Sequence, residues 1–318
     1  MNWSKQISKL GIWIALAALT IIFSISTDKF LTLGNLFNVA RQMSVVGICA
    51  VGMTFVILMG AMDLSVGAVI GVASVTAATM MSNGIHPVIA SLTAILLGTL
   101  IGLVIAFIVN TTNIVPIIVS LGMMTALRGV CYIVADGMPI YGIPEEFLFL
   151  GQGYLWNIPM PVVVMVAVFV IGYIILEKTI IGRFVYGTGG NEDAARLSGV
   201  SVKTVKYFVF AVEGTLAALA GIILLSRVNS GQPGAGTGYE MDIITACVLG
   251  GVSVTGGEGK ISGVIVGVLT IGVLSNGMVL LGVNEFWQNV VKGCVLILAV
   301  AADKFTKAKS EKAQAVAA

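Results

Sequence analysis

Long apolar runs separated by short polar segments make up most of this chain. A helix of about 20 apolar residues spans a bilayer, and by that measure ten segments are candidate spans: 10–26, 43–61, 64–82, 88–109, 114–135, 161–176, 207–226, 241–254, 261–282 and 287–302. The third follows the second with only Met62 and Asp63 between them, and the eighth is short and ends in Thr255-Gly256-Gly257-Glu258-Gly259-Lys260. Either reads as a re-entrant or broken helix, tolerated at membrane depth only where protein or a water-filled cavity satisfies its backbone. With or without these two the span count is even. The pattern predicts an all-α polytopic membrane protein of about ten transmembrane helices, with a single transmembrane domain over 1–306 and a polar tail over 307–318.

One polar island interrupts the pattern, over residues 177–206. Within it Asn191-Glu192-Asp193-Ala194-Ala195-Arg196-Leu197-Ser198 reads as a short helix. Asn191 is a good N-cap, Glu192 and Asp193 sit in the positive first turn, and Gly199 can close the end. In a chain with almost no other water-soluble mass, such an island is a surface for a partner. The longest of the other loops, 136–160, carries Tyr154, Trp156 and Pro159, which suit a membrane interface.

Composition sharpens the class. Of 318 residues 58% are hydrophobic and 10% charged, with a mean hydropathy of +1.04. Soluble domains carry roughly 25% charged residues, so no soluble fold of this size could hide that much apolar surface. The 39 glycines fit helices that approach closely in a membrane. Gly67-Ala68-Val69-Ile70-Gly71-Val72 and Gly263-Val264-Ile265-Val266-Gly267-Val268 both place glycines four apart, through duplication of a helix pair or convergent helix packing. No basic run indicates nucleic acid, and the N-terminal apolar run reads as a retained first helix rather than a cleaved signal. Lys and Arg set the orientation. With the N-terminus inside, one face carries twelve of the 17, the opposite face has Lys29, Arg41 and Arg227, and Arg128 and Lys292 fall within spans. This bias places both termini and the 177–206 loop in the cytoplasm.

Little in the chain resembles catalytic chemistry. Cys49, Cys131, Cys247 and Cys294 lie in apolar segments, and His86 stands alone in a loop. Gly259-Lys260 fails the phosphate-loop pattern, with Val254 where the first glycine should be and Ile261 in place of Ser or Thr. Ionisable residues at membrane depth are costly unless they serve a purpose. Asp63, at the tight junction of two spans, caps the next helix or, with Ser65, faces a translocation pathway. Arg128 snorkels outward, pairs with Asp136, or lines a polar cavity. Glu213 and Lys292 are read as snorkelling, with a Glu213–Lys292 pair as the alternative. Tyr239, Glu240 and Asp242 are placed at the outer mouth, where a delivering protein would dock.

Several stretches together resemble the permeases of the ribose/galactoside family of ATP-binding-cassette (ABC) importers, most nearly the ribose type. They are Gly182-Arg183 with Tyr186, Gly189-Gly190-Asn191 and Ala194-Ala195-Arg196-Leu197-Ser198-Gly199; Asn35-Leu36-Phe37-Asn38, Ala50-Val51-Gly52-Met53-Thr54-Phe55-Val56-Ile57 and Asp63-Leu64-Ser65-Val66-Gly67; Gln232-Pro233-Gly234-Ala235-Gly236-Thr237-Gly238-Tyr239-Glu240-Met241-Asp242; and Val248-Leu249-Gly250-Gly251 leading to Gly256-Gly257-Glu258-Gly259. The resemblance covers nearly the whole chain.

It implies a fold like the ten-helix vitamin B12 importers, in the cytoplasmic (inner) membrane of a bacterium, and two permease chains that pair to form the pathway. Cytoplasmic ATPase subunits underneath bind ATP and magnesium, so this chain holds no cofactor of its own. An extracytoplasmic sugar-binding protein delivers the solute. Gly189, Gly190, Asn191, Glu192, Ala194, Ala195, Arg196, Ser198 and Gly199 become the element that couples to the ATPase. Ala194, Ala195, Ser198 and Gly199 allow close approach, and Glu192 and Arg196, at i and i+4, can pair. The same machine can carry a nucleoside or a furanone-type signal, and an ion-coupled secondary transporter is the remaining alternative. The latter needs a proton or sodium relay that scattered Arg128, Glu213 and Lys292 make poorly.

Overall fold

The structure is a computed structural model; it describes the backbone of residues 3–317 and the side chains of 11–302 and 304. The described chain is almost entirely helical. In order come α1 (Trp3–Ser26), α2 (Leu33–Leu58), α3 (Val66–Ser82), α4 (Pro87–Thr112), α5 (Pro116–Val134) and α6 (Glu145–Gln152). A hairpin of β1 (Tyr154–Leu155) and β2 (Ile158–Pro159) leads to α7 (Met160–Lys178), α8 (Ile180–Gly190), α9 (Glu192–Leu197) and α10 (Val202–Val228). The chain ends with α11 (Tyr239–Leu249), α12 (Ile261–Leu280) and α13 (Glu285–Ala317). Each of the ten predicted segments overlaps a helix. Among the described residues, seven are long and apolar enough to cross a membrane: α2, α4, α5, α7, α10, α12 and α13 over 285–302. The apolar stretch Gly11–Ser26 of α1 and helix α3 are shorter, and α11 has only 11 residues.

Local chemistry accounts for the boundaries. Pro87, Pro116 and Pro161 start α4, α5 and α7, where a missing N–H costs nothing. His86, expected to be a plain loop residue, caps α4 through Nδ1, which accepts from the Val88 N–H at 3.3 Å. Helix α2 starts ten residues before the predicted 43. Thr32 caps it, and Asn35, on a turn that its polarity seemed to exclude, exchanges two 2.9 Å side-chain hydrogen bonds with Asn276 of α12. The β1–β2 turn has Trp156 and Asn157 at positive φ, the twist that a two-residue hairpin demands.

The core is built on α2 and α10, whose Phe55 and Phe210 are fully buried. α10 lies against α4 with almost no side chain between them. A Cβ on Gly102 would collide with the Phe210 carbonyl, and one on Gly98 with Ala218 and the Gly214 carbonyl at 2.6 Å. This is the small-residue packing that membrane helices use when water supplies no hydrophobic drive. α4, α5, α7 and α13 present wide apolar faces, with Leu92, Ile118, Ile171 and Leu298 all exposed, as a lipid-facing surface requires.

The weak eighth segment holds only the short helix α11, preceded by a stretch without helix. α10 ends at Asn229 in the left-handed region (φ 59°), and residues 230–238 then run back along α3 without helical structure. Gly231 meets Ser74 and Ala78 and pairs with Ile140 across a β-bridge, while Gly236 lies against Gly67 and Ile70 five residues on. Only then does α11 form. Its far half packs on α12, with Gly250 against Val264 and Gly267 under the Ala246 carbonyl. Both Gly-x-x-x-Gly faces seen in the sequence, Gly67/Gly71 and Gly263/Gly267, therefore receive parts of this one segment.

Close backbone packing predicts a position-specific response to small substitutions. Gly102→Val should lower stability by about 1–3 kcal/mol through overpacking, whereas Gly122→Ala and Gly129→Ala on α5, with nothing within 4 Å, should be neutral or slightly stabilising. Thermal unfolding of the detergent-solubilised chain reads the difference.

Candidate functional site

Three groups of residues carry chemistry beyond packing, and they lie at one end of the bundle, in its middle, and at the opposite end. The first is the foot formed by α8 and α9. Asn191 Oδ1 accepts from the Ala194 N–H at 2.9 Å, as its cap position predicts. The helix closes with Gly199 at φ 84°, its N–H bonded to the Arg196 carbonyl and the Val200 N–H to the Ala195 carbonyl, both at 3.0 Å. This is a Schellman end, which satisfies the last carbonyls. Glu192 pairs with Arg196 at 2.8 Å and with Lys206 of α10 at 3.2 Å, and Ser198 Oγ donates to the Ala194 carbonyl. Exposed pairs contribute about 0–1 kcal/mol, so these set the angle of α9 more than its stability. One expectation changes. Ala195 is turned inward and buried, so it anchors the foot, while Leu197, 90% exposed, is the apolar side chain that α9 presents.

The foot is joined to the bundle through backbone. Gly189 has no room for a Cβ beneath the Leu58 carbonyl at the end of α2. That same carbonyl accepts from the Gly257 N–H at 2.9 Å, in the turn between α11 and α12. Gly60, Gly189, Gly190, Gly256 and Gly257 stack at this junction. Tyr186 adds a side-chain tie, its hydroxyl donating to the Gly259 carbonyl at 2.9 Å. Burial, with the nearby Glu177 charge, pushes the phenol up to about 12, so it keeps the proton it donates.

The second group lies around the non-helical segment 230–238 and α11. Arg128 neither snorkels nor pairs with Asp136: its guanidinium donates to the Ala235 carbonyl and lies beside Gly67, Gly71 and the Glu240 carboxylate. Asp242, expected at the outer mouth, is buried in a 2.8 Å ion pair with Lys292 of α13. The physical reason is that 230–238 descends along α3 before α11 begins, which carries Glu240 and Asp242 inward. Lys292 is therefore neither snorkelling nor paired with Glu213. Asp63 and Ser65, both fully buried, sit at the α2–α3 turn, where Asp63 Oδ1 accepts from the Ser65 N–H at 2.6 Å. Asp63 and Glu213 are buried neighbours, one carboxyl facing the other, and Glu213 backs onto Gly52. Glu213 is 1% exposed, so snorkelling is ruled out for it as well.

The third group is at the α6 end. A pocket of about 620 Å³ is lined by Asn38, Arg41, Gln42, Gly151, Gln152 and Arg227. Arg227 also borders a second cavity of about 240 Å³, whose polar wall includes Ser74, Ser230, Gln232, Thr237 and Tyr239. Tyr239 lines this cavity. Sequence reasoning did not single out Arg41 or Arg227 as site residues. The available signal was that only Lys29, Arg41 and Arg227 lie on the face that the charge bias leaves nearly bare.

A family model described as branched-chain amino acid transport system / permease component matches residues 35–300. The chain belongs to this permease family. The permease is 44% identical over 306 residues to the ribose import permease protein of Bacillus subtilis (strain 168), covering 96% of this chain and 95% of that protein. It is 43% identical over 294 residues to the ribose import permease protein of Escherichia coli (strain K12), covering 91% and 92%. With the L-arabinose transport system permease protein of the same strain it shares 41% over 295 residues, covering 93% and 90%. No solved structure gives a significant match.

The buried pair in the permease predicts an asymmetric mutational response. Lys292→Met alone leaves Asp242 unpaired and should cost roughly 3–5 kcal/mol, while Lys292→Met combined with Asp242→Asn should recover most of that loss. Melting temperatures of the single and double variants check it.

Proposed function

We propose that this chain is the membrane subunit of an ABC importer that carries a monosaccharide, a ribose-like pentose or a hexose, across the cytoplasmic membrane of a bacterium. The observation that carries the reading is the extent of the likeness: relatives named ribose and L-arabinose permeases align over more than nine-tenths of the chain at 41–44% identity. In this reading all ten apolar segments, including the broken one, make up the transmembrane domain, in a fold like that of the vitamin B12 importers, with both termini and α9 on the cytoplasmic side. Two permease chains form the pathway. A separate ATPase supplies ATP and magnesium binding, and an extracytoplasmic binding protein delivers the sugar.

The foot gives the proposal a mechanism. When the ATPase closes on ATP, it moves α9, presenting Leu197, Arg196 and Ser198. Asn191, Glu192 and Gly199 keep the short helix rigid, and Gly189 and Gly190 transfer its displacement to the end of α2 and the α11–α12 turn. A neutral polyol needs weak hydrogen-bonding groups along its path, because tight binding would oppose release. The hydroxyls and amides of the cavity that Tyr239 lines are suited to this. Arg128 stiffens the segment 234–236 beside that cavity, and Asp63 and Ser65, sealed from it, shape the α2–α3 turn that must flex as the pathway opens. Selectivity among sugars then rests largely with the binding protein.

Uptake of labelled ribose, arabinose and galactose by cells carrying or lacking the permease tests the substrate class; a nucleoside transported in preference to all three would replace it. Gly199→Val and Glu192→Trp should abolish uptake while leaving the chain inserted and folded, with co-purification of the ATPase lost. Normal transport in both would remove α9 from coupling. With Cys294 replaced, Ser198→Cys should react with an impermeant thiol reagent only from the cytoplasm and Trp156→Cys, 91% exposed in the wild type, only from outside. Reaction of both from one side breaks the proposed topology.

A further inference from the structure

Two acids stand inside the bundle with no cation to answer them. Asp63 lies in the α2–α3 turn and Glu213 on α10, both fully buried. Their carboxyls face each other within hydrogen-bond reach, and Asp63 is the only hydrogen-bond partner of the Glu213 carboxyl among the described residues. Neither acid joins an ion pair there. The surrounding helices hold no spare positive charge. α3, α4 and α12 have no ionisable side chain. α2 and α11 bring only the thiols of Cys49 and Cys247 toward Glu213, and Arg41 of α2 is occupied at the Gln152 carbonyl. Ser120 of α5 accepts from the Leu64 N–H at 3.1 Å, while Arg128 of the same helix is engaged with Ala235 and lies beside Glu240. Lys206 is tied to Glu192 and Lys292 to Asp242, and the charges of α7, α8 and the α11–α12 turn are exposed.

A carboxylate only accepts hydrogen bonds. Two ionised carboxylates in contact repel, and here neither water nor a cation screens them. One proton between them turns the repulsion into a charge-assisted hydrogen bond. The donor is Glu213. Asp63 Oδ1 already accepts from the Ser65 N–H at 2.6 Å, which suits a carboxylate, and Glu213 has no such N–H.

Only one of the two acids is free to move. Glu213 is fixed, with its Cα 3.0 Å from where a Cβ on Gly52 would stand, and the adjoining Gly214 is pressed on the Gly98 carbonyl of α4. Asp63 follows Leu58 through Gly60, at φ 86°, and the Leu58 carbonyl is the one that the foot and the α11–α12 turn share. A displacement of the foot therefore pulls on Asp63.

We infer that a single proton, donated by Glu213 to Asp63, locks the α2–α3 turn onto α10, is given up to water when that turn swings away, and is taken back when it closes. The swing, though not the proton, rests on the importer reading above. The released proton goes to bulk buffer and two carboxylates remain, so the same proton returns on closure and none is carried across the membrane by this step.

The full-length permease in a detergent without ester groups is first measured by infrared spectroscopy at about pH 8, where ordinary carboxyls are ionised. The wild type should show a protonated carboxylic acid band that is lost in Glu213→Gln, whose amide still donates to Asp63, and lost in Asp63→Asn. Relative to Glu213→Gln, the wild-type unfolding equilibrium constant should rise about tenfold per pH unit above the ordinary carboxylate range, because the folded chain holds a proton that the unfolded chain has lost. In the complete importer with a hydrolysis-deficient ATPase, a pH-indicator dye should report roughly one more proton released on ATP binding by the wild type than by Glu213→Gln. Identical infrared spectra in wild type and Glu213→Gln, or identical proton release, overturn the inference and leave the importer reading standing. If no ATPase engages the permease, the importer reading fails and the swing with it, while the spectra and the melting still decide the proton.

Discussion

A peptide group left bare in hydrocarbon costs several kcal/mol, and this chain breaks its helical continuity inside the bundle at one main place, residues 230–238. Much of the interior is arranged around that break. Ile140 exchanges hydrogen bonds with Gly231, and Arg128 donates to the Ala235 carbonyl. Local turns close over Gln232, Gly234 and Gly236, whose carbonyls accept from Ala235, Thr237 and Tyr239. The glycines of α3 and α12 clear the space that lets this irregular backbone and α11 lie against their neighbours. A side chain at Gly67, Gly71, Gly263 or Gly267 would push the segment away from its neighbours.

Charge is distributed according to the same logic. At the foot, ion pairs are exposed and exchangeable with water, so they orient without contributing much stability. Inside the bundle the picture inverts: Asp242 and Lys292 hold α11 against α13 across 50 positions of sequence, and the loss of either partner would strand the other. Asp63 and Glu213 form a second buried acidic locality with no cation beside it, at the point where α2 turns into α3 and meets α10. The α6 end differs from both, with guanidinium groups that face a cavity and have no acidic partner among the described residues.

The parts of this architecture legible in sequence are those decided by near neighbours. Apolar runs bounded by polar residues announce helices, and Asn191, Glu192 and Gly199 announce a short capped one, because cap chemistry acts within a turn. What stayed hidden depends on distant partners. The first turns of α2 look too polar to be helical until Asn35 meets Asn276, 241 positions away. Asp242 looks like a surface acid until the descent of 230–238 brings it to Lys292. The inward turn of Ala195 and the outward turn of Leu197 follow from how α9 sits on the bundle, which no local pattern encodes. Arg41 and Arg227 could have been flagged, since each stands on the face that the charge bias leaves nearly empty, but their convergence required the fold.

The junction of Leu58, Gly189 and Gly257 has a mechanical consequence. A joint made of side chains can absorb a small displacement by changing rotamers, because exposed torsions hop within picoseconds to nanoseconds. Here one carbonyl is shared between a glycine of the foot and an amide of the α11–α12 turn, and there are no side-chain torsions to give way. A shift imposed on the foot therefore reaches the end of α2 and the α11–α12 turn with little backlash from side chains. The exposed surface of α9 has room for other side chains, while the glycine junction behind it has almost none.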